Sequence, residues 1–250
     1  MDVADIGYGA QFGGWYDRIF PKDATAAHTA KRIAAWHPDP GAGTCELGVG
    51  SGRIAIPLSG IIGKVTGVDS SPEMLDALRG DPKSALVTSV HADIRSWRSD
   101  ETYGLVYIIC ATLSMITDPA DQQAVIDRAA ASLVPGGRLI VETHNKPAVL
   151  ALHEGQRRTT YFVPYPEPDT GLQTHSTLLD GELWHCSHIW YAGGTTRVGS
   201  ELSRLTAPDE IDAYARNAGL TPEHRYGDWD FTEYSEASPL VTAIYRKATP

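Results

Sequence analysis

Thr44-Cys45-Glu46-Leu47-Gly48-Val49-Gly50-Ser51-Gly52-Arg53 runs a short strand-forming stretch directly into glycines at every second position. Glycine tolerates positive φ and lets the backbone approach a ligand closely, while a helix starting behind such a turn offers free N–H groups. The spacing is Gly-x-Gly-x-Gly. A dinucleotide fingerprint needs a third glycine or alanine three residues after the second, and that position holds Arg53. The phosphate loop of NTPases is excluded too, because no Gly-Lys-Ser/Thr follows.

Outward from this turn, short apolar runs alternate with helical segments. Strands are expected at 44–47, 64–68, 85–90, 103–110 and 138–143, with helices at 52–58, 72–78 and 121–133 and an earlier helix at 24–36 that stops before Pro38. Such alternation implies parallel pairing with right-handed crossovers: an α/β, Rossmann-like, doubly wound sheet. After Asn145 the pattern changes. Strands at 172–179 and 182–191 flank Asp180-Gly181, which suits a two-residue hairpin, and Gly193-Gly194 leads to a third strand at 196–205. This predicts an inserted antiparallel β-meander lid. Thr206 is expected to cap a helix carrying Pro208, Asp209 and Glu210, and strands at 223–228 and 241–246 finish the chain. The expected organisation is one domain, with a helical cap at 1–40, a core at 41–145, the meander at 155–205 and a carboxy-terminal helix and strands at 206–250.

With 31 acidic against 21 basic residues and a formal charge of -10, the chain lacks the clustered Lys and Arg that track phosphates, so no nucleic-acid or anionic membrane partner is expected. Cys45, Cys110 and Cys186 are odd in number, far apart and set in apolar stretches, as reduced buried thiols are. The acidic start has no signal-peptide pattern, and the longest apolar run is too short to cross a bilayer, so a cytoplasmic location is expected.

Asp69 ends the second strand about twenty residues beyond the glycine turn, where a carboxylate accepts hydrogen bonds from ribose hydroxyls. Asp93 ends the third, placed to accept from an adenine amino group with Ile94 against the ring. Glu46-x-Gly48-x-Gly50-x-Gly52, Gly67-Val68-Asp69-Ser70-Ser71-Pro72-Glu73-Met74-Leu75, Ala92-Asp93-Ile94 and Leu133-Val134-Pro135-Gly136-Gly137-Arg138-Leu139 together resemble the class I S-adenosylmethionine-dependent methyltransferases. The match covers roughly residues 12 to 145. It implies a seven-stranded sheet with an antiparallel last strand and S-adenosyl-L-methionine as cofactor. The glycine turn would lie at the methionine part, with Glu46, Gly48, Gly50, Gly52 and Arg53. Asp69, Ser70 and Met74 would lie at the ribose, Ala92, Asp93 and Ile94 at the adenine, and the stretch from Cys110 to Leu113 below the sulfonium. Tyr16, in Trp15-Tyr16-Asp17-Arg18, is similar to the amino-terminal tyrosine that closes over the cofactor in small-molecule members, including aminosugar N-methyltransferases of antibiotic pathways.

Methyl transfer from a sulfonium requires a nucleophile aligned about 3 Å from the methyl and water excluded. A neutral amine needs little more, whereas a hydroxyl usually needs a general base. His144, in Glu142-Thr143-His144-Asn145, is the first candidate base. Tyr8, His185, Trp190 and Trp229 are candidates for the acceptor side, the aromatics through cation–π attraction. Strand alternation places His188 with Trp184, Cys186 and Trp190, and His185 on the opposite face, so the two histidines do not chelate one ion and no metal is expected. The expected acceptor is a small molecule; the oligomeric state, monomer or homodimer, is open. Two rivals stand: a scaffold of this fold catalysing another reaction, and a protein methyltransferase. The segment Cys110-Ala111-Thr112-Leu113 lacks the Asn/Asp-Pro-Pro-Tyr/Phe pattern of base or amide nitrogen chemistry.

Overall fold

The structure, a computed structural model, describes residues 7–249; the first six residues and Pro250 lie outside it. Three helices lead in: α1 (Tyr8–Phe12), α2 (Tyr16–Ile19) and α3 (Ala24–Ala34), the last capped by Asp23, whose carboxylate accepts from Thr25 and Ala26 N–H. The core then alternates β1 (Thr44–Leu47), α4 (Ala55–Ile62), β2 (Val65–Asp69), α5 (Pro72–Gly80), β3 (Val87–His91), β4 (Tyr103–Ile108), α6 (Pro119–Ser132) and β5 (Leu133–His144). A short α7 (Lys146–Leu152) precedes four strands, β6 (Arg158–Pro164), β7 (Thr170–Leu178), β8 (Leu183–Ala192) and β9 (Thr195–Arg204). The chain ends with α8 (Pro208–Asn217), β10 (Leu220–Tyr226) and β11 (Leu240–Lys247).

The main sheet has seven strands in the order β10-β11-β5-β4-β1-β2-β3. β1 to β5 pair in parallel, and β11 inserts antiparallel between β5 and β10, so the expected reversal of the last strand is present. Side-chain alternation separates two cores. Val106, Ile108, Leu139 and Val141 face α6 and α8, whereas Leu105, Tyr107, Ile140 and Ile244 face α3, α4 and α5. All six residues of β4 are buried, as a central parallel strand covered on both faces requires. Its carboxyl end, like those of β1 and β2, is therefore fixed in position, and it is there that the strand order reverses.

Four corrections to the sequence expectations have local causes. The helix expected from Gly52 begins at Ala55, because Gly52 has φ +80°, outside the helical region. The meander has a fourth strand, β6; its mostly exposed side chains give no hydrophobic alternation to read. Asp180-Gly181 does not form a two-residue hairpin: the last β7–β8 pair is Leu178 with Trp184, and a 3₁₀ turn at Asp180–Glu182 fills the gap. Gly193-Gly194 does form one, between Ala192 and Thr195, with φ of 54° and 78°. Finally, Thr206 does not cap α8. Its hydroxyl donates to Gln122 Oε1 at 2.8 Å, and Glu210 accepts from the Ala207 N–H at 3.0 Å instead.

The four-stranded sheet and α1 roof the carboxyl edge of the main sheet. Ser200 N–H donates to Gln11 Oε1 at 2.9 Å, and Gly199 lies so close to Phe12 that a Cβ would stand 2.6 Å from its ring. Phe12, Trp15, Ile19, Met74, Leu172 and Trp190 form the apolar cluster of this seam. Where the insert leaves the core and where it returns are stitched together: Lys146 pairs with Glu182, Glu182 with Arg204 at 2.8 Å, and Arg204 with Glu210 at 2.8 Å.

Candidate functional site

The turn after β1 is held from below and open above. Gly48 and Val49 N–H both donate to Val68 O, at 2.8 and 3.0 Å. Gly48 has φ +85°, and a Cβ there would stand 2.3 Å from Thr112 Cγ2, so only glycine fits. Gly50 has φ +53°, and nothing lies within 4 Å of where its Cβ would point, because that direction is the cavity. Its N–H donates to Asp69 Oδ2 at 2.7 Å, while Asp69 Oδ1 accepts from Ser71 N–H at 2.9 Å. The carboxylate ending β2 thus braces both the glycine turn and the start of α5.

The cavity, about 240 Å³, follows the carboxyl ends of β1, β2 and β4. Its lining carries four aspartates, Asp69, Asp93, Asp118 and Asp121, and the buried Glu46, which is largely protonated near neutral pH, against two guanidiniums, Arg53 and Arg95. That balance repels a polyphosphate and suits a ligand with positive charge and hydroxyl donors. An adenosyl group bearing a sulfonium and an ammonium fits it; a dinucleotide does not. At the adenine end, burial alone would raise Asp93, but Arg95 outweighs it through its N–H and guanidinium, at 2.9 and 2.5 Å, and holds the carboxyl below its ordinary value. Asp93 reaches the cavity already paired, beside buried Ile94.

The floor under the glycine turn is polar and tightly bonded. Burial pushes Glu46 up to about 8, against the pull of the Tyr107 hydroxyl, which donates to Oε2 at 2.8 Å. Arg53 Nη2 donates to Cys110 Sγ at 3.0 Å. Burial and the nearby Glu142 push the Cys110 thiol up to about 12, so it stays protonated and is no nucleophile. Cys110 and Ala111 have φ of 54° and 59°, a strained pair of non-glycine residues at the end of β4. Glu142 holds this kink: its Oε1 accepts Cys110 N–H at 2.8 Å and its Oε2 accepts Trp229 Nε1–H at 2.5 Å. Above the cavity, burial raises the hydroxyls of Tyr8 and Tyr16, so both remain donors, with their rings 6.2 Å apart edge to face.

Of the residues singled out from sequence, Tyr8, Tyr16, Glu46, Gly48, Gly50, Arg53, Asp69, Ser70, Met74, Asp93, Ile94 and Cys110 line this one cavity. Gly52 instead packs against Leu78 and Ile56, and Ala92 and Leu113 pack into the core below. The other four candidates also stand off the lining. His144 meets Trp184 edge to face at 4.7 Å, and burial lowers its pKa, partly offset by Glu201, which favours the neutral imidazole. Trp190 is buried against Tyr165 in the roof seam, and Trp229 supports the floor through Glu142. His185 alternates away from buried Trp184 and Cys186, and so sits on the other face of β8 from the roof seam. Glu142 and Arg95 were not anticipated, whereas Thr112, within the stretch expected below the sulfonium, does line the cavity. An acidic residue closing the apolar run Leu139-Ile140-Val141 was the available signal for Glu142.

Comparison with known proteins accords with this geometry. A family described as "Methyltransferase domain" matches residues 45–137, the span from β1 through the floor of the cavity. The CcbJ methyltransferase from Streptomyces caelestis has the same fold, with a TM-score of 0.85 at 27% identity over 96% of this chain and 98% of that one. CalS10, an amino pentose methyltransferase from Micromonospora echinaspora whose structure contains S-adenosylmethionine, gives 0.72 at 20% identity over 93% and 96%. The ubiquinone biosynthesis O-methyltransferase of Chelativorans sp. strain BNC1 is 24% identical over 208 residues, 82% of this chain and 69% of that one. This chain spans between 58% and 69% of the length of such relatives.

Proposed function

Since the chain is a class I S-adenosylmethionine-dependent methyltransferase of the small-molecule type, we propose that it transfers the methyl group to a nitrogen or oxygen of a small metabolite by in-line displacement. S-adenosylmethionine, when bound, supplies an electrophilic methyl on a positively charged sulfur. Gly50, Asp69, Asp93 and Glu46 would hold it, through main-chain approach, hydroxyl acceptance and the negative potential of the lining. Cys110 and Arg53 form the floor, and the protonated hydroxyls of Tyr8 and Tyr16 close the top and keep water out.

The observation that carries the reading is the meeting of an acid-lined cavity with the two tyrosines that cover it, Tyr8 of α1 and Tyr16 of α2. For a hydroxyl acceptor, His144 is the base we favour, because desolvation keeps it neutral and able to take a proton. A neutral amine needs only alignment. The relatives include both chemistries in their names, an amino pentose methyltransferase and an O-methyltransferase.

Labelled-methyl transfer from S-adenosylmethionine into metabolite extracts, with amine- and hydroxyl-bearing fractions assayed separately, tests the proposal. Label in a small-molecule fraction is expected. Tight cofactor binding with no labelled small molecule would replace it with the non-methylating scaffold.

A further inference from the structure

The same strand alternation that separates His185 from His188 puts His188 and Cys186 on one face of β8, two residues apart. Across the ladder, Cys186 is paired with Glu201 of β9. Three ligating side chains thus converge: the Cys186 sulfur, a ring nitrogen of His188 and a Glu201 carboxylate oxygen all lie within 4.8 Å of one another. His188 Nε2 stands 3.6 Å from Glu201 Oε1, and its other nitrogen, Nδ1, is 2.9 Å from Thr174 Oγ1, on the paired position of β7. Thr174 is buried, so the imidazole is oriented from behind with Nε2 aimed at the carboxylate.

Charge is what this cluster lacks. The Glu201 side chain is 17% exposed, and among the described residues its ion-pair partner is the His188 ring at 3.6 Å, with no Lys or Arg beside it. A largely desolvated carboxylate with no permanent cation beside it is costly. The missing partner is a cation, and a thiol in the cluster favours a metal over an organic ammonium, because sulfur is a poor partner for an ammonium and a strong one for a borderline-soft ion.

We infer that Cys186, His188 and Glu201 bind a divalent ion of the zinc class on the inner face of the meander, independently of the cofactor cavity. Three protein ligands of S, N and O type leave a fourth position for water. Ligands about 2.0–2.3 Å from zinc stand roughly 3.3–3.8 Å from each other, so the side chains draw together by about an ångström on binding. As the sulfur–metal bond forms, the Cys186 thiol releases its proton to solvent, and His188 binds through Nε2 with Nδ1 kept on Thr174.

Cobalt(II) titration of the metal-stripped full-length protein reads this without turnover. One ion per chain is expected, with the absorption of tetrahedral cobalt and a sulfur-to-metal charge-transfer band, both displaced by zinc. Cys186→Ser is expected to abolish the charge-transfer band. Glu201→Gln and His188→Ala should each weaken binding at least about tenfold, and Thr174→Val about 10–100-fold, with rescue by Thr174→Ser. His185→Ala, on the opposite face, should change nothing. Circular dichroism confirms that each variant is folded. Absence of saturable binding, or a charge-transfer band that survives Cys186→Ser, overturns the site. So does a Glu201→Gln variant that binds cobalt normally but loses affinity for an amine acceptor, which would make the cation organic.

Discussion

The main-chain N–H of Gly50 donates to Asp69 Oδ2 at 2.7 Å, tying the turn after β1 to the acid that ends β2. Asp69 is therefore both a ligand candidate and the brace of the loop beside it. Asp69→Ala should weaken binding of S-adenosylmethionine and of its demethylated product at least about tenfold, since one charge-assisted hydrogen bond contributes about 1.5–3 kcal/mol. Isothermal calorimetry measures it; unchanged affinity would remove Asp69 from the site.

Gly48 and Gly50 should respond differently to the same substitution. Gly48→Ala drives a Cβ into Thr112 as well as holding a non-glycine residue at positive φ, and should lower stability by several kcal/mol. Gly50→Ala meets no protein atom, so it should cost only about 1–2 kcal/mol in the free protein while cutting cofactor affinity sharply. Denaturant melts and ligand titration, run on both variants, separate the two effects.

These two glycines were legible because turn, strand and acid recur at fixed spacings along one continuous stretch, from Glu46 to Ile94. The rest of the cavity is assembled from residues remote in the chain. Tyr8 of α1 lines it, and Glu142 of β5 with Trp229 of the loop before β11 supports its floor. Trp229 illustrates the limit: its aromatic ring suggested cation–π attraction, yet its indole N–H is used on Glu142. Periodicity likewise could not find β6, whose exposed side chains carry no alternation.

Stability in the absence of ligand should fall with pH through Glu46. Its ordinary value is 4.5 and burial raises it to about 8, so the unfolded chain releases this proton first. The stabilisation is present below 4.5 and is lost progressively as pH rises to about 8. Glu46→Gln, which keeps an acceptor for Tyr107, should flatten that part of the melting-temperature profile. An identical slope in the variant would mean that another group carries it.

His144→Gln should reduce kcat by about 10² or more on a hydroxyl acceptor and leave the dissociation constant of the cofactor unchanged, because His144 lies off the cavity lining. On an amine acceptor the change should be small. Equal losses on both would assign His144 to packing against Trp184.

Asn145→Ala should destabilise the protein by about 2–4 kcal/mol. Asn145 is fully buried, its amide donates to the carbonyls of Ser235, Glu236 and Ser238, and its carbonyl accepts from Tyr234 at 3.0 Å. Chemical denaturation measures the loss, and Trp229 fluorescence should report a loosened loop before global unfolding.

The stitching of Lys146, Glu182, Arg204 and Glu210 brings the two ends of a sixty-residue excursion side by side. An excursion closed at its base can be exchanged for another of different length with little change in closure entropy, leaving β5 and α8 where they are. In evolutionary terms the chain can inherit its glycine-turn half intact while recombination or drift rewrites the meander, so close kin that share every residue around that turn can differ throughout the second sheet.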